Sequence, residues 1–150
     1  LDLWIEEKNI KKHLTSLTSP KNTLEIIKTK NYTLINDSYN LPENGLLAAL
    51  KVLNTLEGEK ILIMDDIFEL WKKSEEIHKN LWKKIAQEKS IDKVCYIWKN
   101  FKKHFTKWLK EWWLKELDII QSLDTLKKGS IILFEWRNSK KYFDKLIKNV

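Results

Sequence analysis

Apolar residues in this chain follow two rhythms. Short, nearly unbroken runs stand at Leu24–Lys28, Tyr32–Ile35, Lys60–Met64, Val94–Ile97 and Ile131–Phe134. Each is bounded by turn-forming or charged residues, so each predicts a buried strand. Between the runs the spacing lengthens to three and four. Leu46, Leu47, Leu50 and Leu53 form one apolar face across Gly45–Leu56, with Pro42 near its start and Gly58 beyond its end. Ile77, Leu81 and Ile85 form another behind Ser74, a candidate N-cap followed by Glu75 and Glu76. Phe143, Leu146 and Ile147 predict a closing helix over Ser139–Val150. Ile5, Ile10, Leu14 and Leu17 predict one over 5–17, and the pattern at Lys99–Leu109 predicts another. Residues 110–127 leave the assignment open. Thr18–Asn22, Lys30-Asn31 and Gly129 punctuate the chain as turns.

Strands and helices therefore alternate several times. That order predicts a single α/β domain with a mainly parallel, Rossmann-like sheet, helices on both faces and right-handed crossovers. The loops after Ile35, Met64, Ile97 and Phe134 then open on one edge. In such sheets ligands sit at the carboxyl ends of the strands. The run Tyr32–Glu43 places Asp37, Tyr39 and Asn40 at such an end, just before a helix.

Composition narrows the class. The chain has 150 residues, 43% hydrophobic and 33% charged, which suits a folded domain with a real core. No apolar run approaches the roughly 18–20 residues of a membrane span, and no signal peptide opens the sequence, so a cytoplasmic protein is expected. The first residue is Leu1, so a longer parent chain is expected. One cysteine, Cys95, forms no internal disulfide and reads as a buried strand thiol. The net charge of +7 comes almost wholly from lysine, with Arg137 the one arginine. Readers of phosphate and bases favour arginine forks, so a solvated lysine surface accounts for the charge more simply than nucleic-acid binding.

Familiar catalytic signatures are absent. There is no phosphate-binding Gly-x-x-x-x-Gly-Lys-Ser/Thr, no Gly-x-Gly-x-x-Gly, and no nucleophile elbow around a serine. His13, His78 and His104 lack metal-ligand spacing. Asp65, Asp66 and Glu69 cluster just past a strand. They suit either a divalent cation or amine, or the amide groups of a helix start. Tyr96–Lys115 interleaves Trp98, Phe101, Phe105, Trp108, Trp112 and Trp113 with lysines. It reads either as a helix packing its rings in a core or as a basic, aromatic surface for single-stranded nucleic acid or a membrane interface.

One set of ordered blocks resembles a known family. Asn36-Asp-Ser-Tyr-Asn-Leu-Pro-Glu43 followed by Leu47-Ala-Ala-Leu50 resembles the opening of the C-terminal domain of the Mur ligases. Met64-Asp-Asp-Ile-Phe-Glu-Leu70 is similar to that family's Gly-Asp-Met-x-Glu-Leu-Gly block, and Glu76-Ile-His78 to its Glu-x-His. Leu126–Trp136 resembles its Pro-Gly-Asp strand leading into Lys-Gly-Ser-Arg. The blocks keep their order from about Leu3 onward, and the branch most resembled adds D-alanyl-D-alanine to a UDP-muramoyl tripeptide. The resemblance implies a Rossmann-like domain that closes over upstream central and N-terminal domains. There ATP and Mg²⁺, held mainly by the central domain, activate a carboxylate as an acyl phosphate for attack by an amine. It implies nucleotide contacts from Asp37, Tyr39 and Asn40, and contacts to the incoming dipeptide from Asp66, Glu69 and Arg137. It implies no reaction by this chain alone. A structural copy that has lost ligase activity is the other outcome the resemblance allows.

Departures from the family pattern are specific. Asn-Ala-Asn-Pro is shortened to Asn40-Leu41-Pro42. Asn22-Thr23-Leu24-Glu25 stands where an arginine is often found. Lys-Gly-Ser-Arg has become Glu135-Trp136-Arg137-Asn138, which exchanges a lysine for a carboxylate. Trp71, Trp82, Trp98 and Trp136 fall where the family has glycine, and Trp4 is assigned with them. The chain holds 8 Trp and only 3 Gly, whereas glycine usage averages about 7%. The hypothesis that follows is that these codons are UGA, read as glycine by the organism and written as tryptophan in translation.

Overall fold

The short apolar runs are strands. The computed structural model describes residues 8–10, 20–39, 43–65, 74–88, 90–97, 118–119 and 123–148. Its elements are β1 (Glu25–Lys28), β2 (Thr33–Asp37), α1 (Glu43–Asn54), β3 (Lys60–Met64), α2 (Ser74–Gln87), β4 (Lys93–Tyr96), β5 (Asp118–Ile119), β6 (Ile131–Glu135) and α3 (Lys140–Lys148). Short 3₁₀ turns lie at Leu123–Thr125 and Arg137–Ser139. Of the helix expected at 5–17, residues 8–10 are described and are helical. The helix expected at Lys99–Leu109 lies outside the described residues.

The strands form one sheet in the order β1-β2-β6-β3-β4-β5. Only the β1–β2 pair is antiparallel; β2–β6, β6–β3, β3–β4 and β4–β5 are parallel. The hairpin is closed at its turn by Thr29, whose amide donates to the Tyr32 carbonyl at 2.8 Å and whose Oγ1 accepts the Tyr32 amide at 2.9 Å. The last strand in sequence, β6, thus enters the middle of the sheet. This is why its five residues are all buried: neighbours flank it on both sides and helices cover both faces.

Alternation along the strands sorts the core into two layers. On one face Ile35, Leu62, Met64, Val94, Ile131 and Leu133 meet Leu46, Ala49, Leu50 and Leu53 of α1 and Leu81, Trp82, Ile85 and Ala86 of α2. On the other, Leu34, Ile61, Ile63, Cys95, Ile132 and Phe134 meet Phe143 of α3. Phe134 and Phe143 pack edge to face, with centroids 5.4 Å apart. Helices on both faces of a mostly parallel sheet match the architecture expected from the sequence. No helix among the described residues is long and apolar enough to cross a membrane.

The two edges of the sheet are built differently. At the amino edge Glu59 gathers Lys93 at 3.2 Å, Lys127 at 3.6 Å and the Ser130 hydroxyl at 2.9 Å. Burial alone raises this carboxyl; Ser130 and the two lysines outweigh it and hold the group below its ordinary value. At the carboxyl edge the strands run further than their apolar runs. β2 and β6 stay paired in register through Asp37 and Glu135, so two acidic residues end up inside the sheet.

Candidate functional site

An open cleft of about 390 Å³ lies at the carboxyl edge, lined by Asn22, Ser38, Tyr39, Arg137 and Lys140. Three separate segments deliver these residues. Ser38 and Tyr39 follow the last residue of β2. Arg137 and Lys140 follow β6, at the 3₁₀ turn and the first residue of α3. Asn22 belongs to the turn before β1, which the antiparallel hairpin returns to the end of β2.

A hydrogen-bond strap fixes that turn. The Tyr39 amide donates to the Asn22 carbonyl at 3.1 Å, and the Leu24 amide donates to Asp37 Oδ1 at 3.1 Å. Asn36 is buried, and its Nδ2 donates to Asn22 Oδ1 and to Glu25 Oε2, each at 3.1 Å; its Oδ1 accepts the Ser38 hydroxyl at 2.7 Å. One amide side chain therefore holds both Asn22 and Ser38 against the cleft. Asn22 and Leu24 have φ of 62° and 46°, so the strap keeps the turn in the left-handed region. Tyr39 is 62% exposed, so among the described residues its ring is open to a ligand. Arg137 is exposed, and the Lys140 ammonium meets Asp144 at 2.7 Å.

Chemically, the cleft offers two cations, an aromatic face, an amide and a hydroxyl. That set suits an anion attached to a planar ring. Below the cleft the chemistry reverses. Asp37 is 1% exposed and Glu135 is fully buried. As register partners on adjacent parallel strands, they leave the sheet on the same face. Asp37 Oδ2 and both Glu135 oxygens have no hydrogen-bond partner among the described residues. Burial pushes the Glu135 carboxyl well above the ordinary range, and the neighbouring Asp37 charge adds to the effect. Burial also raises Asp37, opposed by the Leu24 amide.

The site residues expected from the sequence divide three ways. Tyr39 and Arg137 come together in the cleft although 98 positions separate them (137 − 39). Asp37 does not line the cleft; it sits beneath it and anchors the turn. Asn40, Asp66 and Glu69 lie outside the described residues, as does most of the 96–115 aromatic segment. Asn22, Ser38 and Lys140 line the cleft without having been singled out as site residues. Asn22 had one signal, because it opens the segment that replaces the family's arginine. Lys140 had none, being one lysine among many. Among the described residues no group of three or more His, Cys, Asp or Glu could hold a metal ion.

Known proteins of similar sequence or fold agree with this architecture. No protein-family model matches the chain. It is 32% identical over 135 residues to UDP-N-acetylmuramoyl-tripeptide–D-alanyl-D-alanine ligase of Bacillus subtilis (strain 168), an alignment covering 83% of this chain and 29% of that protein. The enzyme of the same name from Buchnera aphidicola is 39% identical over 71 residues, 47% of this chain and 15% of that one. The chain thus spans less than a third of the length of the curated relatives it matches. Among solved structures, MurF from Acinetobacter baumannii superposes with a TM-score of 0.75 at 21% identity, over 96% of this chain and 34% of that one. MurF ligase from Thermotoga maritima in complex with ADP gives 0.64 at 17% identity, over 95% and 37%. By sequence and fold the chain belongs to the Mur ligases and is like the C-terminal domain of UDP-N-acetylmuramoyl-tripeptide–D-alanyl-D-alanine ligase.

Proposed function

We propose that this chain is the nucleotide- and substrate-closing domain of an ATP-dependent peptidoglycan-precursor ligase, working in the cytoplasm. The observation that carries this reading is the meeting of Tyr39, Arg137 and Lys140 in one cleft at the strand ends. Upstream central and N-terminal domains would supply the other wall, the Mg²⁺ and the UDP-muramoyl peptide. Together they would join its terminal carboxylate, through an acyl phosphate, to a D-alanyl-D-alanine-type amine. The described residues fit one part of this set. Arg137 and Lys140 suit phosphate or carboxylate oxygens, Tyr39 offers a face for a base, and Asn22 and Ser38 suit hydroxyl groups. They do not fit Mg²⁺, because the paired carboxylates are buried and no three-ligand cluster is present among them.

In that role the chain's own work is positioning. Closing the cleft over a bound nucleotide excludes water and adds two cations where phosphate charge develops, which is most of what phosphoryl transfer asks of a protein. Asp37 and Asn36 would act through the Asn22 turn and not by touching ligand. Asn40, Asp66 and Glu69 keep the roles that the resemblance implies; Arg137, which the resemblance gives to the incoming dipeptide, is assigned here to the nucleotide phosphates because it shares the cleft with Tyr39 and Lys140.

One observation favours a second reading, a structural copy without activity. The lysine of the family's Lys-Gly-Ser-Arg is here Glu135, buried beside Asp37. Joining the chain to its upstream region and measuring amide-bond formation with ATP separates the two. Turnover that falls on Tyr39→Ala supports the ligase. No turnover, with ADP leaving the resonances of Tyr39 and Arg137 unmoved, supports the inactive copy.

A further inference from the structure

We infer that the residue at position 136 in the native protein is glycine, encoded by UGA, and that this glycine is the pivot that carries Arg137 and Lys140 from the end of β6 into the cleft. Three features of the molecule carry this, whether or not the cleft binds nucleotide.

The first is backbone conformation. Residue 136 has φ 67° and ψ 162°. This is the region of positive φ with ψ near 180° that is populated essentially by glycine alone, because a Cβ there collides with the chain's own backbone. Among the described residues Asn22 and Leu24 also have positive φ without being glycine, but asparagine tolerates such values, and Leu24 is held in place by the hydrogen bond that its backbone N–H donates to Asp37 Oδ1. Tryptophan has no comparable tolerance.

The second is that both sides of the residue fix this conformation. Upstream, β6 is locked in parallel register with β2 through Glu135 and with β3 through Phe134. Downstream, the carbonyl of residue 136 accepts the Ser139 amide at 3.0 Å and the Ser139 hydroxyl at 2.7 Å, which starts the turn over Arg137–Ser139. The direction of the chain must change within one residue. The change brings Arg137 and Lys140 beside Tyr39; a residue confined to ordinary φ would send them elsewhere.

The third is usage. The chain carries 8 Trp against 3 Gly. Two of those glycines, Gly58 and Gly129, have φ of 136° and 87°. Glycine is thus used where the fold demands positive φ, and position 136 makes the same demand. A buried indole there is the anomaly that a reassigned codon removes. In the native molecule the space the indole fills, among the core under α1 and α2, would lie at the strand edge below the cleft.

Two measurements test this. Trypsin releases the segment Gly129–Arg137 from the protein isolated from its own organism, since Lys128 precedes it and Arg137 ends it. Its mass and fragmentation should show glycine at 136, and the gene should carry UGA there; tryptophan in the peptide, or UGG in the gene, overturns the inference. For the pivot, Trp136→Gly and Trp136→Ala are compared in the full chain. Both remove the indole, so they differ in the Cβ. The glycine variant should melt several degrees higher and give amide resonances for Arg137 and Lys140 in one ordered state. An alanine variant that melts as high, with the same resonances, overturns the pivot.

Discussion

Glu135 shows how much one residue departs from what its type prefers. A carboxylate on a central strand normally either reaches solvent or finds a cation, and among the described residues this one does neither. Its charged neighbour on adjoining β2 is Asp37, which opposes its ionisation further. Arg137 and Lys140 face the cleft above, Glu25, Lys28 and Lys51 are exposed, and Lys60 begins β3 at the opposite edge. Asp65 is a further buried carboxylate near the same edge, with interactions of its own. The folded state therefore favours the protonated form of Glu135. The sign follows from its raised pKa: the native chain holds a proton that the unfolded chain releases near the ordinary value of about 4.3. Stability is fully present below that value, falls as pH rises towards the folded pKa, and is flat above it. Glu135→Gln removes this dependence and keeps the shape. Denaturant unfolding from mildly acidic to alkaline pH should show a shallower decline in the variant. At neutral pH the variant should be the more stable of the two, because it neither takes up a proton on folding nor buries a charge. An unchanged pH profile would mean that Glu135 is hydrated or paired in solution.

At the scale of elements, the central strand and the glycine turns should dominate stability. Leu133 is fully buried in β6, between β2 and β3. Leu133→Ala should cost about 2–5 kcal/mol by lost burial and the cavity left behind. Gly58 has φ 136°, and a Cβ there would stand 3.0 Å from the Gly129 carbonyl oxygen. Gly58→Ala should cost roughly 1–3 kcal/mol through backbone strain, read as a lowered denaturation midpoint. These elements are also the legible ones. The unbroken apolar runs of β3 and β6 and the three-four spacing of α1 and α2 could be read directly, because two-sided and one-sided burial leave different patterns. The extension of β2 and β6 to Asp37 and Glu135 could not, since acidic residues are poor strand formers and only parallel pairing overrides that preference. Nor could the place of β6 between β2 and β3, which depends on contacts across the whole chain. The cleft was half legible for the same reason. Tyr39 and Arg137 carried family motifs, while Asn22 reaches the site only because the hairpin folds back and Asn36 and Asp37 hold it there.

On the proposed reading the whole molecule supplies one wall of a nucleotide cleft, and upstream domains supply the other. The described edge presents two cations and one aromatic ring, and no described residue closes over them from above. Alone, the chain should bind ADP weakly. The binding should fade with added salt, because exposed charges are screened within about 10 Å at 0.1 M ionic strength. Joined to its upstream region, it should hold nucleotide more tightly, since closure desolvates the same contacts. Tyr39→Ala, Arg137→Ala and Lys140→Ala separate these effects. Tyr39 and Arg137 are exposed and bear little of the core, so each variant should stay within about 0.5 kcal/mol of the parent in stability. A charge-assisted contact contributes about 1.5–3 kcal/mol when formed. Loss of Arg137 should therefore raise the KM for ATP roughly 10- to 100-fold in the joined protein, with a smaller effect for Lys140, whose ammonium is shared with Asp144. Isothermal titration of the chain and steady-state kinetics of the joined protein check both halves. If Arg137→Ala left nucleotide affinity and KM unchanged, the anion would have to be held by the opposite wall, and the cleft would serve the incoming amine's carboxylate instead.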